Sequence, residues 1–138
     1  MFSVASMALA ADGTPIVIEL RSPAVGVDGR LVESVGIETL GGVFTPLLEL
    51  GCLLPCTSSQ VFSTAADRQS QITISLFRGK SDVVSEARPL GRFRVERIPR
   101  KGRGQPQVTI VVRTLGNDLI LEAYDTNTKG PYRIVRVP

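Results

Sequence analysis

The sequence predicts an all-β fold, an antiparallel β-sandwich of about eight strands. Three observations lead there. Apolar and β-branched residues come in short runs, several alternating with polar residues at the period of two that a half-buried strand requires. Gly, Pro, Asn and Asp punctuate those runs. No stretch at helical spacing is long enough for more than a turn.

The first run, Ile16-Val17-Ile18-Glu19-Leu20, stands upstream of the main pattern. As an exposed edge strand it would invite pairing with another chain. Val35 to Pro46 and Ser59 to Asp67 are two extended tracts. Within the first, Gly41-Gly42 permits a sharp bend, a bulge or a close backbone approach, because glycine has no Cβ. Gln71 to Phe77 alternates, with Ile72, Ile74 and Leu76 on one face and Thr73 and Ser75 on the other. Lys80 to Pro89 is a polar loop, and the Gly-, Pro- and Arg-rich stretch Pro99 to Pro106 is an irregular crossover. Val108, Ile110 and Val112 repeat the strand pattern. Gly116-Asn117-Asp118 makes a hairpin turn into an inward face of Leu119, Leu121 and Ala123. Asn127 to Gly130 makes a second turn before a last strand marked by Tyr132, Ile134 and Val135.

Composition bounds the function. A chain of 138 residues fits one domain, which buries about 68% of its unfolded surface, and 43% apolar content supplies the core. The division expected is a tail over residues 1–33, with a possible extra strand, and a sandwich over residues 34–138. No apolar run is long enough to span a bilayer, so no membrane partner is expected. A net charge of +3 is too small to argue for nucleic acid. The absence of His excludes Ser-His and Cys-His nucleophilic sites and His-metal centres. No acid–base constellation is visible, so no enzyme, metal or cofactor is expected. Cys52 and Cys56 lack the spacing of a redox pair and the further ligands of a zinc site. They read as reduced, partly buried thiols beside a turn, a disulfide between them being geometrically tight. Met1 to Ala11 lacks the positive start and long apolar stretch of a secretory signal. It reads as a frayed tail or weak strand, and the chain as cytoplasmic.

The tracts Val35-Gly36-Ile37-Glu38-Thr39-Leu40-Gly41-Gly42-Val43-Phe44-Thr45-Pro46 and Ser59-Gln60-Val61-Phe62-Ser63-Thr64-Ala65-Ala66-Asp67 carry more than strand pattern. Together they closely resemble the strands lining the peptide groove of the seventy-kilodalton heat-shock chaperones. That family joins a nucleotide-driven motor to a peptide-binding β-domain and a helical lid. The resemblance covers roughly Ser34 to Pro138, continues weakly through Arg103-Gly104-Gln105-Pro106-Gln107-Val108, and matches the β-domain alone.

The resemblance implies a groove formed by loops at one end of the sandwich. Ile37, Phe62, Ile72 and Ile74 are similar to the pocket that takes a Leu or Ile of the peptide, with Val43 on a converging strand. Leu40 and Ala65 match the two halves of an arch over the peptide backbone. Thr39, Leu40, Ser63, Ala65 and Gln69 match residues that hydrogen-bond the peptide. Gly41 completes the set. Ile37, Ile72 and Ile74 would be core in any sandwich; the joint match of two motifs in order singles them out.

The implied function is a chaperone, heat-shock module that binds short extended hydrophobic segments of unfolded or partner proteins, without catalysis. The alternative is a self-assembling module whose groove is filled by a neighbouring copy, through Ile16–Leu20 or Val135–Pro138. A further reading of Ile16–Leu20 is a decayed relative of the family's interdomain linker.

The pattern also departs from the family. Gly29-Arg30-Leu31-Val32-Glu33-Ser34 replaces a run containing Asp and Pro, which puts coupling to a motor in doubt. No Gly-rich phosphate-binding motif is present, so ATP hydrolysis is expected only of full-length relatives. Arg103 is similar to the arginine that pairs with an acidic lid residue and is expected to lack that partner here. Arg88, Arg92, Arg94, Arg97, Arg100, Lys101 and Arg103 form a basic cluster with only Phe93 among them, which supports base stacking poorly. It reads as a solvated face; flanking the groove, it would disfavour peptides with basic flanks.

Overall fold

The computed structural model describes residues 15–20 and 25–138. The expectation for Met1–Ala11 therefore lies outside the described residues. Nine strands, β1 (Ile16–Glu19), β2 (Ser34–Thr39), β3 (Val43–Leu48), β4 (Thr57–Ser63), β5 (Ile72–Gly79), β6 (Arg88–Glu96), β7 (Gln107–Leu115), β8 (Asp118–Asp125) and β9 (Arg133–Val137), form two antiparallel sheets. One sheet has the order β1-β8-β7-β4 and the other β3-β2-β5-β6-β9. A 3-10 turn, Val84–Glu86, is the one helical piece among the described residues.

Alternation makes the sandwich. In β5, Ile72, Ile74 and Leu76 are buried, and in β7 Val108, Ile110 and Val112 are. Their intervening residues face outward at the strand period of two. Leu119, Leu121 and Ala123 of β8 join the same core, with Phe93 of β6 among its largest fully buried side chains. The first turn is tighter than its three-residue reading. Gly116, at φ 61°, and Asn117 alone connect β7 to β8, and Asp118 already pairs with Leu115. In the second turn, the Asp125 carboxylate accepts the backbone N–H groups of Asn127 and Thr128 and the Tyr132 hydroxyl. Burial, then that hydrogen bond and the charge of Asp125, pushes Tyr132 up to about 12.

The run Ile16–Leu20 is the extra edge strand, one of the readings open to it: β1 pairs with β8, and Ile18 and Leu20 are fully buried. Its end is held by Arg78, 3% exposed, whose Nη1 donates to the Leu20 carbonyl at 2.5 Å. Two expectations are corrected. The loop expected to reach Pro89 ends earlier, because Arg88 and Pro89 pair with Arg78 and Phe77. Pro89 is tolerated there because the register shifts at Leu76/Phe77, the kind of irregularity that accepts proline. Cys52 and Cys56, read as reduced thiols, form a disulfide. The β3–β4 connection folds back so that their Cα atoms lie 6.4 Å apart, within the span a disulfide bridges. Cys56 is further tied to β7 by its N–H donating to the Thr114 hydroxyl at 2.8 Å.

Beside β1, Arg78 Nε donates to Glu33 at 2.6 Å, and Arg88 reaches the same oxygen at 3.0 Å. Burial alone would raise Glu33, but the hydrogen bonds and charges of the two arginines prevail and hold its carboxyl below the usual range.

Candidate functional site

The strand registers bring both motif tracts to one end of the sandwich. β2 runs antiparallel to β5, with Ile37 opposite Leu76, so its end at Thr39 extends toward the start of β5 at Ile72. β4 ends at Ser63 opposite Gln107, and its loop returns to Ile72 on the other sheet. The β2–β3 tip and the β4–β5 loop are therefore two walls flanking the mouth of the core.

The floor comes from both sheets. Ile37, Ile72 and Ile74 belong to the five-stranded sheet and are 2%, 8% and 5% exposed. Phe62 faces them from the four-stranded sheet, partly buried against the same cluster. Directly beside Phe62 stands Val108, its register partner, fully buried. Val108 was not among the residues expected beside Phe62. Its signal was present in the Val108/Ile110/Val112 alternation, but pairing with Phe62 depends on a strand more than forty residues away.

On the β2–β3 wall, the inner face passes from core to solvent. Ile37 is buried, Thr39 half-buried and Val43 43% exposed, and Thr39 pairs with Val43. The Thr39 and Thr45 hydroxyls share a 2.9 Å hydrogen bond across the strands. At the tip Leu40 is completely exposed. The bend that presents it depends on Gly41 and Gly42, at φ 86° and 76°, values costly for residues with a Cβ. A second loop props the tip: Val84 N–H donates to the Gly42 carbonyl at 3.0 Å and Phe44 N–H to that of Asp82 at 2.8 Å. Gly36 is required for another reason, since a Cβ there would lie 2.2 Å from the Thr45 carbonyl oxygen.

The β4–β5 wall is braced internally. Gln69 Oε1 accepts the N–H groups of Ala65 at 2.9 Å and Ala66 at 3.2 Å, while its Nε2 donates to the Gln71 carbonyl at 2.7 Å. Ser63 Oγ donates to the Pro106 carbonyl at 2.6 Å. In the free protein these two polar side chains hold the wall. Ala65 is exposed on it. The wall is also laced to the β6–β7 crossover. Arg68 N–H donates to Lys101, Ile98 N–H to Ser70, Gly104 N–H to Thr64, and Arg103 N–H to Asp67 Oδ1 at 2.8 Å. None of this lacing was legible in either loop alone.

The segments suggested as internal ligands are both strands of their own sandwich. Ile16–Glu19 pairs with β8, and Val135 and Val137 pair with β6.

A family model described as Hsp70 protein matches residues 29–131. The chain is similar to the chaperone protein DnaK of Anaplasma marginale (strain St. Maries), 38% identical over 104 residues, covering 75% of this chain and 16% of that protein. It is also similar to the chaperone protein DnaK of Mycoplasmopsis synoviae (strain 53), 48% identical over 77 residues, covering 56% of this chain and 13% of the relative. The chain thus spans less than a fifth of the length of these curated relatives.

Proposed function

The chain belongs to the Hsp70 family, and from that membership we propose that it holds extended, hydrophobic segments of unfolded or partner polypeptides in the groove between its two loop walls. It works as a binding module with no chemistry of its own. The observation that carries this reading is the inner face of the β2–β3 wall. It climbs from buried Ile37 through Thr39 to Val43 and ends in a leucine with no contact to hide it. Leu40 is fully exposed on a bend that glycines at 41 and 42 make easily and a second loop supports, so its side chain is free to cover a bound segment.

The groove offers the two contacts that recognition of many sequences requires. Backbone groups along its walls reach the peptide main chain, present in every sequence, and the apolar floor selects one side chain. The ligand is a segment of about five to seven residues with a central Leu or Ile. About five backbone hydrogen bonds at roughly 0.5–1.5 kcal/mol each, with roughly 1.5–3 kcal/mol for a buried Leu, oppose an association cost of about 4 kcal/mol or more. The balance favours a binder of roughly micromolar affinity.

Ile72→Phe tests the reading. Ile72 lies at the start of β5, at the mouth of the core, and is slightly exposed. A larger ring there fills the floor while β5 keeps its pairing with β6, where residue 72 lies opposite Val95. Binding of a labelled Leu-centred peptide, followed by fluorescence anisotropy, is expected to be lost with the far-ultraviolet dichroism retained. Normal binding by a folded Ile72→Phe variant refutes the groove.

A further inference from the structure

We infer that the groove selects segments whose apolar centre is flanked by acidic residues, because its β4–β5 wall is basic. The inference rests on the groove reading above and names the substrate class within it.

The structure redistributes the basic residues that the sequence clusters. Arg88 is spent on Glu33 at 3.0 Å, Arg94 on Glu96 at 2.8 Å, and Arg92 donates to the Pro138 carbonyl at 3.2 Å. Arg100, Lys101 and Arg103 lie on the crossover that is hydrogen-bonded along the β4–β5 loop. The same lacing brings in Arg68, more than thirty positions away, whose N–H donates to the Lys101 carbonyl at 2.8 Å. The side chains of Arg68, Arg100, Lys101 and Arg103 are exposed. Among the described residues, none of them is in an ion pair. Asp67 is the one carboxylate woven into this wall, and one of its oxygens already accepts the Arg103 N–H.

The opposite wall is not basic in the same way: the loop that props its tip holds exposed Asp82 and Glu86 beside Lys80. The positive potential is therefore concentrated at the β4–β5 loop. An extended segment lying between the two walls gains from carboxylates turned toward Arg68, Arg100, Lys101 and Arg103. A lysine on the same side meets uncompensated like charge. Each exposed pair is weak, so two of them give a Kd ratio of about three- to tenfold at low salt. That ratio shrinks as salt screens it.

Three fluorescein-labelled peptides sharing one Leu-centred core, flanked by Glu, Ser or Lys, would be titrated by anisotropy against the full chain at low and high salt. The same titrations would be run on Arg68→Glu/Arg103→Glu, whose melting temperature confirms its fold. The expected order is Glu tightest and Lys weakest, with a gap that narrows at high salt and collapses or inverts in the charge-reversed variant. Equal binding of the Glu and Lys peptides, or a Lys preference, overturns the inference and leaves the groove reading standing. A Glu preference that survives charge reversal also overturns it, since the selecting charge then lies elsewhere. If none of the three peptides binds, including the Ser-flanked one, the groove reading fails and this inference fails with it.

Discussion

Leu40→Ala separates what the tip does for folding from what it does for binding. In the free protein Leu40 is 100% exposed. The bend that carries it is held by Gly41, Gly42 and backbone bonds to Thr39 and Val84, none of which uses the leucine side chain. Truncation therefore removes no packing, and stability should change by less than about 0.5 kcal/mol, as at other uninvolved surface positions. For a domain of this size that is within about 2 °C of melting temperature. On binding, the same side chain covers one flank of the peptide. Fully burying a leucine is worth roughly 1.5–3 kcal/mol, so a one-sided contact contributes about 1 kcal/mol. Kd for a Leu-centred peptide should then rise about fivefold. Scanning calorimetry and anisotropy titration measure the two quantities on one preparation. An unchanged Kd would show that the tip does not cover the ligand. A loss of melting temperature well beyond 2 °C would show that Leu40 packs in the free protein, and the exposure argument would collapse.

Two further predictions concern what holds the groove in place. Glu33→Gln keeps an acceptor oxygen but removes the negative charge beside the buried Arg78 guanidinium, and should cost about 2–3 kcal/mol at neutral pH. Because the folded state lowers the Glu33 pKa, its contribution is full above the ordinary glutamate value and is lost as pH falls through the folded one. Urea titrations of both proteins should therefore converge in acid, and a deficit that persists there would rule out the charge as its cause. Replacing both Cys52 and Cys56 by Ser opens a very short loop and should cost up to about 2 kcal/mol on chain-entropy grounds. A thiol reductant should lower the melting temperature of the parent chain by a similar step and leave the double-Ser chain unmoved; sensitivity of the latter to reductant would contradict the pairing.

Much of the fold was legible because its signals are local. Alternation in β5 and β7 follows from burial of one strand face only, and the turn at Gly116-Asn117 from a residue that tolerates positive φ. Ile37, Phe62, Ile72 and Ile74 were singled out by the order of two motifs, since their chemistry alone is that of any core. Where local reading fell short, the missing information was a partner distant in sequence. Cys52 and Cys56 pair because the β3–β4 connection folds back, a property of how the edge strands meet and not of the spacing. Val108 comes to lie beside Phe62 only through the register of two strands far apart in sequence.

By itself, then, the sequence determined that this chain is an antiparallel sandwich and which two tracts flank its open end. Side-chain period and turn chemistry act over a few residues, so one strand at a time reveals them. Only the tertiary structure decided that Ile16–Leu20 belongs to the core, that Ser63 is tied to Pro106, and which arginines are paired with a carboxylate. Those outcomes turn on hydrogen bonds and ion pairs between segments tens of residues apart. Arg88 and Arg103 are equivalent as letters; Glu33 neutralises one, and the other stands exposed where its backbone ties two loops together.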